Sequence, residues 1–165
     1  MISISIIQAK PDDAEAVSAL GHRIWQAHYP SIISQEQIDY MLNLWYTPDY
    51  LRQCFENEKQ RFYLGYLDEV LSGFIAYWPT DEDGVMFISR LYVDLQSHGK
   101  GLGSALLEKP ANEANIHTLR LHVNRHNVNS INYYQKRGFK PVGEQITEIG
   151  EGYVMDDYVM EKSLF

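Results

Sequence analysis

Between a strand-like run and a helix-like run the chain reads LYVDLQSHGKGLGSALLEK, Leu91 to Lys109, with Gly99, Gly101 and Gly103 at alternate positions where a helix begins. Glycine costs roughly 1 kcal/mol per helical position relative to alanine, so three of them at one helix start call for a compensating gain. A helix N-terminus offers one. Its first amides lack intrahelical partners, and the helix dipole gives them about half a positive charge. Glycines there remove the Cβ atoms that would hold an anion away, which makes the segment a candidate pyrophosphate cradle, with Lys100 adding charge and Ser104 a hydroxyl. The plain alternative is a strand-to-helix turn that holds no ligand. Two nucleotide motifs are excluded by spacing. A P-loop requires G-x-x-x-x-G-K-S/T, and no Lys-Ser or Lys-Thr follows Gly103; a dinucleotide-binding turn requires G-x-G-x-x-G, which Gly99 to Gly103 do not supply.

The rest of the chain alternates between two periods. MISISIIQ alternates like a strand, and after Pro11-Asp12-Asp13 the residues Ala14, Val17, Leu20, Gly21 and Ile24 recur at helical spacing. Ser34 with Gln37 three residues on predicts a capped helix with a capping box, its apolar face made by Ile38, Met41, Leu42 and Trp45. Thr47-Pro48-Asp49 predicts a third helix start, with Leu51, Cys54 and Phe55 turned inward. FYLGYL and VLSGFIAYW flank Asp68-Glu69 as a hairpin, and VMFISRLYV is the next strand. TLRLHV, the helix NVNSINYYQKRG closed by Gly138, and two strands around Gly150 to Gly152 complete the order β-α-α-α-β-β-β-α-β-α-β-β. That order predicts one mixed α/β layer structure, a single domain over residues 1–165, without repeat or linker. Pro110 falls inside the helix that follows the glycines, where it should kink or end it.

Charge and cysteine content narrow the partners. A net charge of −8, with clusters at Asp81-Glu82-Asp83 and Asp156-Asp157, repels nucleic acid and anionic membranes and attracts cations, polyamines among them. Cys54 is the only cysteine, so no internal disulfide forms. No apolar run approaches the roughly 20 residues of a membrane helix. A cytoplasmic protein is expected. His122 and His126 do not share a helix, and no metal site is expected.

The glycine segment matches R/Q-x-x-G-x-G/A as Gln96-Ser97-His98-Gly99-Lys100-Gly101, and Val123, Asn127, Ser130, Tyr134, Gly138 and Phe139 follow V-x-x-x-N-x-x-A/S-x-x-x-Y-x-x-x-G-F. In both motifs and in element order the chain resembles the GNAT acetyltransferases, and RLYV and YVMDDYVMEK are similar to bacterial polyamine acetyltransferases of the PaiA kind. The resemblance implies a mostly antiparallel, twisted sheet of about seven strands, a central parallel pair splayed at the cofactor site, and about four to five flanking helices. It implies acetyl-CoA as co-substrate, its pyrophosphate over Gln96, His98, Gly99, Lys100, Gly101, Leu102, Gly103 and Ser104, and its pantetheine on backbone groups of Leu91 and Val93. Asn127 would cap its helix or bind the co-substrate chain, and Tyr134 would protonate the leaving thiolate.

The implied reaction is direct acetyl transfer to a primary amine of a small molecule, a polyamine favoured, or of a peptide; a homodimer stays open. Many relatives carry glutamate on the strand before RLYV, where this chain has Phe87 and Ser89, so the general base is unassigned among Glu82, Asp83, Asp94 and His122. The alternative class is a non-catalytic acyl-CoA-binding or sensing module. Cys54 lies far from both motifs in sequence and is not expected to act as a nucleophile. Tyr40, Trp45, Tyr77 and Trp78 either line a pocket or fill the core, the core being preferred.

Overall fold

The structure, a computed structural model of residues 1–165, contains β1 (Ile4–Gln8), α1 (Ala14–His28), α2 (Gln35–Trp45), α3 (Pro48–Glu56), β2 (Arg61–Leu67), β3 (Val70–Pro79), β4 (Val85–Val93), α4 (Leu102–Ala111), β5 (Thr118–Asn124), α5 (Val128–Lys136), β6 (Lys140–Gly150) and β7 (Tyr153–Ser163). The strands form one seven-stranded sheet in the order β1-β2-β3-β4-β5-β7-β6. Neighbours run antiparallel except the central pair β4–β5, which is parallel. Fold class and element order follow the sequence expectation.

Local chemistry sets most boundaries. Ser34 Oγ accepts from the Gln37 amide at 3.2 Å and Thr47 Oγ1 from the Tyr50 amide at 3.2 Å, so α2 and α3 open on the expected caps. The reciprocal half of the capping box is not made. Gln37 Nε2 instead donates to the Val154 carbonyl at 2.8 Å, tying α2 to β7. Asp68 and Glu69 hold φ of 46° and 70°, the left-handed pair that a two-residue hairpin turn needs to match strand twist. Pro110 ends its helix rather than kinking it: α4 stops one residue later, and the proline ring is buried at the cost of a single backbone bond.

The sheet has core on both faces. Along β3, Phe74 and Ala76 join Val17, Leu20, Ile24, Ile38 and Leu51 on the side of α1, α2 and α3, while Ile75 and Tyr77 join Leu102, Leu106, Leu119 and Met160 on the side of α4. Burial on both faces explains why β3 reads as a continuous apolar run rather than an alternation. β1 lies at the sheet edge with Ile4 and Ile7 exposed, so its alternation does not face a full core.

The central pair parts. β4 pairs β5 only from Val85↔Thr118 to Ile88↔Leu121, yet β4 continues to Val93 and β5 to Asn124. On its other edge β4 pairs β3 as Tyr77↔Ile88 and then Ala76↔Arg90, so Ser89 is the extra residue of a β-bulge. A bulge bends its strand and increases local twist. This one falls where pairing with β5 ends, and beyond it the two strands diverge.

Leu106 is fully buried on α4 against the sheet. Leu106→Ala should lower the unfolding free energy by about 2–5 kcal/mol, seen as a lower urea midpoint at unchanged slope.

Candidate active site

The divergence of β4 and β5 opens a cleft of about 930 Å³ that runs from α4 and α5 through the sheet to α1 and α2. Leu91, Val93, His98, Gly99, Gly101, Leu102, Gly103, Ser104, Asn127 and Tyr134 all lie in its wall, while Gln96 and Lys100 lie outside it. The structure thus gathers most of the residues the two motifs single out.

At the α4 end, Gly99 and Gly101 adopt φ of 78° and 86°, where an L side chain is strained. A Cβ at Gly99 would meet nothing within 4 Å, and one at Gly101 only Ile4 Cδ1 at 3.9 Å, so the amides leading into α4 face open ground. Gly103 serves a different purpose. A Cβ there would sit 2.1 Å from Tyr133 Oη, so this glycine lets α5 approach α4. Positive charge beside the turn comes from a residue not singled out by sequence. Arg137 lies over the Tyr133 ring at 3.5 Å and donates to Ser104 Oγ at 3.3 Å in the first turn of α4. The Val93 carbonyl is already engaged by His98 Nε2 at 3.0 Å.

Across the cleft, Asn127 is 4% exposed, and its Oδ1 accepts from the Ser130 amide at 3.3 Å and from His28 Nε2 at 3.1 Å. The bond fixes the His28 tautomer with its proton on Nε2, and it joins the end of α1 to the start of α5. Burial lowers the His28 pKa, the bond to Asn127 opposing that shift and His98 adding to it. Tyr134 packs edge-on against Phe139 at 5.4 Å, and its hydroxyl bonds to no protein group. Burial first, then Tyr29 and Tyr133, raise its pKa above an ordinary phenol, so it is neutral across the working range. Tyr29 and Tyr92 oppose their hydroxyls at 3.2 Å nearby.

The carboxylates weighed as bases are engaged or distant. Glu82 bonds Arg120, Asp94 pairs with Arg23 at 2.9 Å, and Asp83 is exposed in the β3–β4 turn. Ser89 spends its hydroxyl on the Ala76 carbonyl at 3.2 Å. Phe87 packs between Trp78 at 5.3 Å and His122 at 4.9 Å. His122 lines the cleft, with a pKa lowered by burial and then by Arg120. A carboxylate outside that set of candidate bases does reach the cleft. Asp157 on β7, opposite Asn124, is 6% exposed and lies in the cleft wall. Burial, and then Asp156, push its pKa up to about 6. The signal was present in strand period: in MDDYVM, Met155 and Asp157 share one face while Asp156 takes the other, where it meets Arg125 at 3.1 Å.

The aromatics divide between both roles. Trp45 and Trp78 line the cleft, Tyr77 fills the core on the α4 side, and Tyr40 donates to the Ile149 carbonyl at 2.6 Å. Cys54, on α3, lies in the cleft wall, its thiol pKa raised by burial.

The chain belongs to the GNAT family of acetyltransferases: the family model "Acetyltransferase (GNAT) family" matches residues 22–139. It is similar to the PaiA N-acetyltransferase of Thermoplasma acidophilum, solved in complex with coenzyme A, with 27% identity, 98% of this chain and 99% of that one covered, and a TM-score of 0.81. A GCN5-related N-acetyltransferase from Rhodopseudomonas palustris aligns over 99% and 98% of the two chains at 22% identity and a TM-score of 0.78. A GNAT acetyltransferase from Streptococcus pneumoniae aligns over 98% and 99% at 22% identity and 0.64; these two show the shared fold. No curated protein gives a significant match.

Gly103→Ala should lower the unfolding free energy by about 1–3 kcal/mol through overpacking on Tyr133. Adding Tyr133→Phe, which removes the colliding hydroxyl, should recover part of the loss in a thermal melt.

Proposed function

We propose that the protein is an N-acetyltransferase that moves the acetyl group of acetyl-CoA directly to a primary amine, with a polyamine as the favoured acceptor. The observation that carries this reading is the coincidence, in one cleft, of a parallel strand pair that stops pairing at Ile88↔Leu121, a left-handed glycine turn opening α4, and a neutral tyrosine with a free hydroxyl. The coenzyme A complex of the PaiA relative supports the co-substrate, and the net charge of −8 supports a cationic acceptor. The lone, buried Cys54 supports a cytoplasmic setting.

The residues divide the work along the cleft. Amides leading into α4, with Arg137 beside them, would hold the diphosphate. β4 beyond Ser89 has lost its β5 partner, and backbone groups left unpaired there would bind the pantetheine, since an unpaired backbone donor needs a ligand or water. A preorganised amide in that stretch would also oppose charge building on the thioester oxygen. Two proton transfers remain. An amine of pKa about 10.4 is neutral to roughly one part in 2,500 at pH 7, equivalent to about 4.6 kcal/mol. The departing thiolate needs a donor, and Tyr134, kept protonated by burial, supplies it.

Thiol release measured with acetyl-CoA and spermidine, amino acids, aminoglycosides or peptides tests the reading. Amine-dependent turnover is expected, whereas co-substrate binding without release from any of them would mean a non-catalytic acyl-CoA module. Tyr134→Phe should reduce kcat by about 10²–10⁴-fold while acetyl-CoA affinity changes only a few-fold; undiminished turnover would remove Tyr134 from the chemistry. Cys54→Ala should retain most activity, because no acyl-cysteine forms.

A further inference from the structure

We propose that Asp157 is the acceptor end of this site: the carboxylate that receives the ammonium group of the incoming amine and takes the proton the amine must lose before it attacks. The proposal rests on the acetyltransferase reading above and assigns the base that reading lacks.

Asp157 breaks the pattern of the other acids around it. Asp156, its neighbour, is held by Arg125 at 3.1 Å, and Glu161, further along β7, by Arg120 at 2.6 Å. Asp157 is far more buried than either, yet no donor or cation of the protein reaches its carboxylate. A buried charge is ordinarily paired, because desolvation without a partner is strongly unfavourable. An unpaired one in the wall of a cleft is suited to a cation that arrives from outside.

Its position fits that cation's path. β7 pairs β5 through Asn124↔Asp157, next to the stretch where β5 has left β4. Asp157 shares the sheet face of Met155, Phe87 and His122, the face covered by α1 and α2, whereas α4 and its glycine turn lie against the opposite face. A co-substrate anchored at α4 and an acceptor entering past α2 would therefore meet in the gap between the strands. The groups around Asp157 complete the selection. Tyr29, in the turn that follows α1, and Tyr92 on β4 present phenols, and aromatic faces favour organic cations. Of the titratable groups facing this part of the cleft, His28 on α1 and His122 on β5 are both biased toward the neutral form by burial. Arg125 is engaged by Asp156 and Glu144, and Arg90 is engaged at the α2–α3 end, over the Tyr46 ring and on the Trp45 carbonyl. The local charge is negative, so the acceptor class is a primary amine on an apolar or cationic chain, without a carboxylate beside the amine.

The step balances. One proton passes from the ammonium to Asp157 and then to solvent. The freed nitrogen lone pair forms the C–N bond, the C–S bond breaks, and sulfur takes the Tyr134 proton. A second nitrogen proton restores Tyr134. Ammonium and thioester thus give amide, thiol and one proton.

The cost of keeping Asp157 ionised gives a signature that activity alone does not. Its folded pKa of about 6 lies above the unfolded value, so its contribution to stability is full below about 3.9 and is lost as pH rises through 6. His28 and His122 are lowered and act oppositely, losing stability as pH falls below about 6.5. Above pH 7.5 only Asp157 opposes folding among the three. Asp157→Asn should therefore melt at or above the wild-type temperature at pH 8, with the advantage much smaller at pH 4.5.

The test compares wild type, Asp157→Asn and Asp157→Glu in the full chain, by acetyl-CoA calorimetry, spermidine calorimetry with coenzyme A present, and thiol release against pH. The proposal expects acetyl-CoA affinity within about three-fold, spermidine affinity at least ten-fold weaker, and kcat/KM lower by about 100-fold or more in Asp157→Asn. Partial recovery in Asp157→Glu, and loss of the acid limb near pH 6 in Asp157→Asn, are expected alongside. Wild-type spermidine affinity and turnover in Asp157→Asn would overturn it, as would an equal loss of acetyl-CoA affinity. If the wild type binds acetyl-CoA and spermidine but transfers nothing, the enzyme reading and the proton step fall together; failure of Asp157→Asn alone, beside an active wild type, leaves the enzyme reading intact.

Discussion

The bulge at Ser89 is the constraint from which the site follows. With one extra residue against β3, β4 bends where its parallel pairing to β5 ends, and both strands run on without each other. Separating two central strands of a sheet exposes backbone donors and acceptors that are costly to leave unmade. The fold accepts that because the gap is a cleft and not a void. It is walled by α4 and α5 on one face and by α1 and α2 on the other, and the His28–Asn127 bond ties the two sides together.

Around that gap the electrostatics are polarised. The α4 end gathers positive character from a helix N-terminus and Arg137. The α1–α2 end holds Asp157, with the pKa values of Tyr29 and Tyr92 raised by burial. On the proposed reading, such an arrangement would order two reactants of opposite charge from opposite faces, with the neutral phenol of Tyr134 between them. The two buried side-chain polar atoms without a partner, Trp25 Nε1 and Tyr133 Oη, belong to residues of the cleft wall that also pack against the two cores.

How much of this was legible in the sequence depended on the range of the interaction. Ser34 and Thr47 announced their helices, and Asp68-Glu69 its hairpin, because caps and turns are made by residues two to three apart. The two motifs gave the fold and most of the cleft wall. What stayed hidden was set by register and by contacts across the sheet. Ser89 looks like any strand residue until its pairing is known. Gly103 reads as part of a phosphate cradle, yet its missing Cβ admits Tyr133. Asp157 reads with Asp156 as one acidic cluster, although strand alternation sends the two side chains to opposite faces. Gln37 reached Val154 rather than its own helix start, a choice made by tertiary proximity.

The central claim is that the parted strands and the glycine turn together receive coenzyme A. The most direct measurement is an amide NMR titration of the full chain with acetyl-CoA. The account predicts saturable shifts concentrated in the amides of His98 to Ser104 and of Leu91 and Val93, with hydrogen exchange slowed along β4 beyond Ser89. No association at millimolar co-substrate, or shifts confined to another surface, would contradict it.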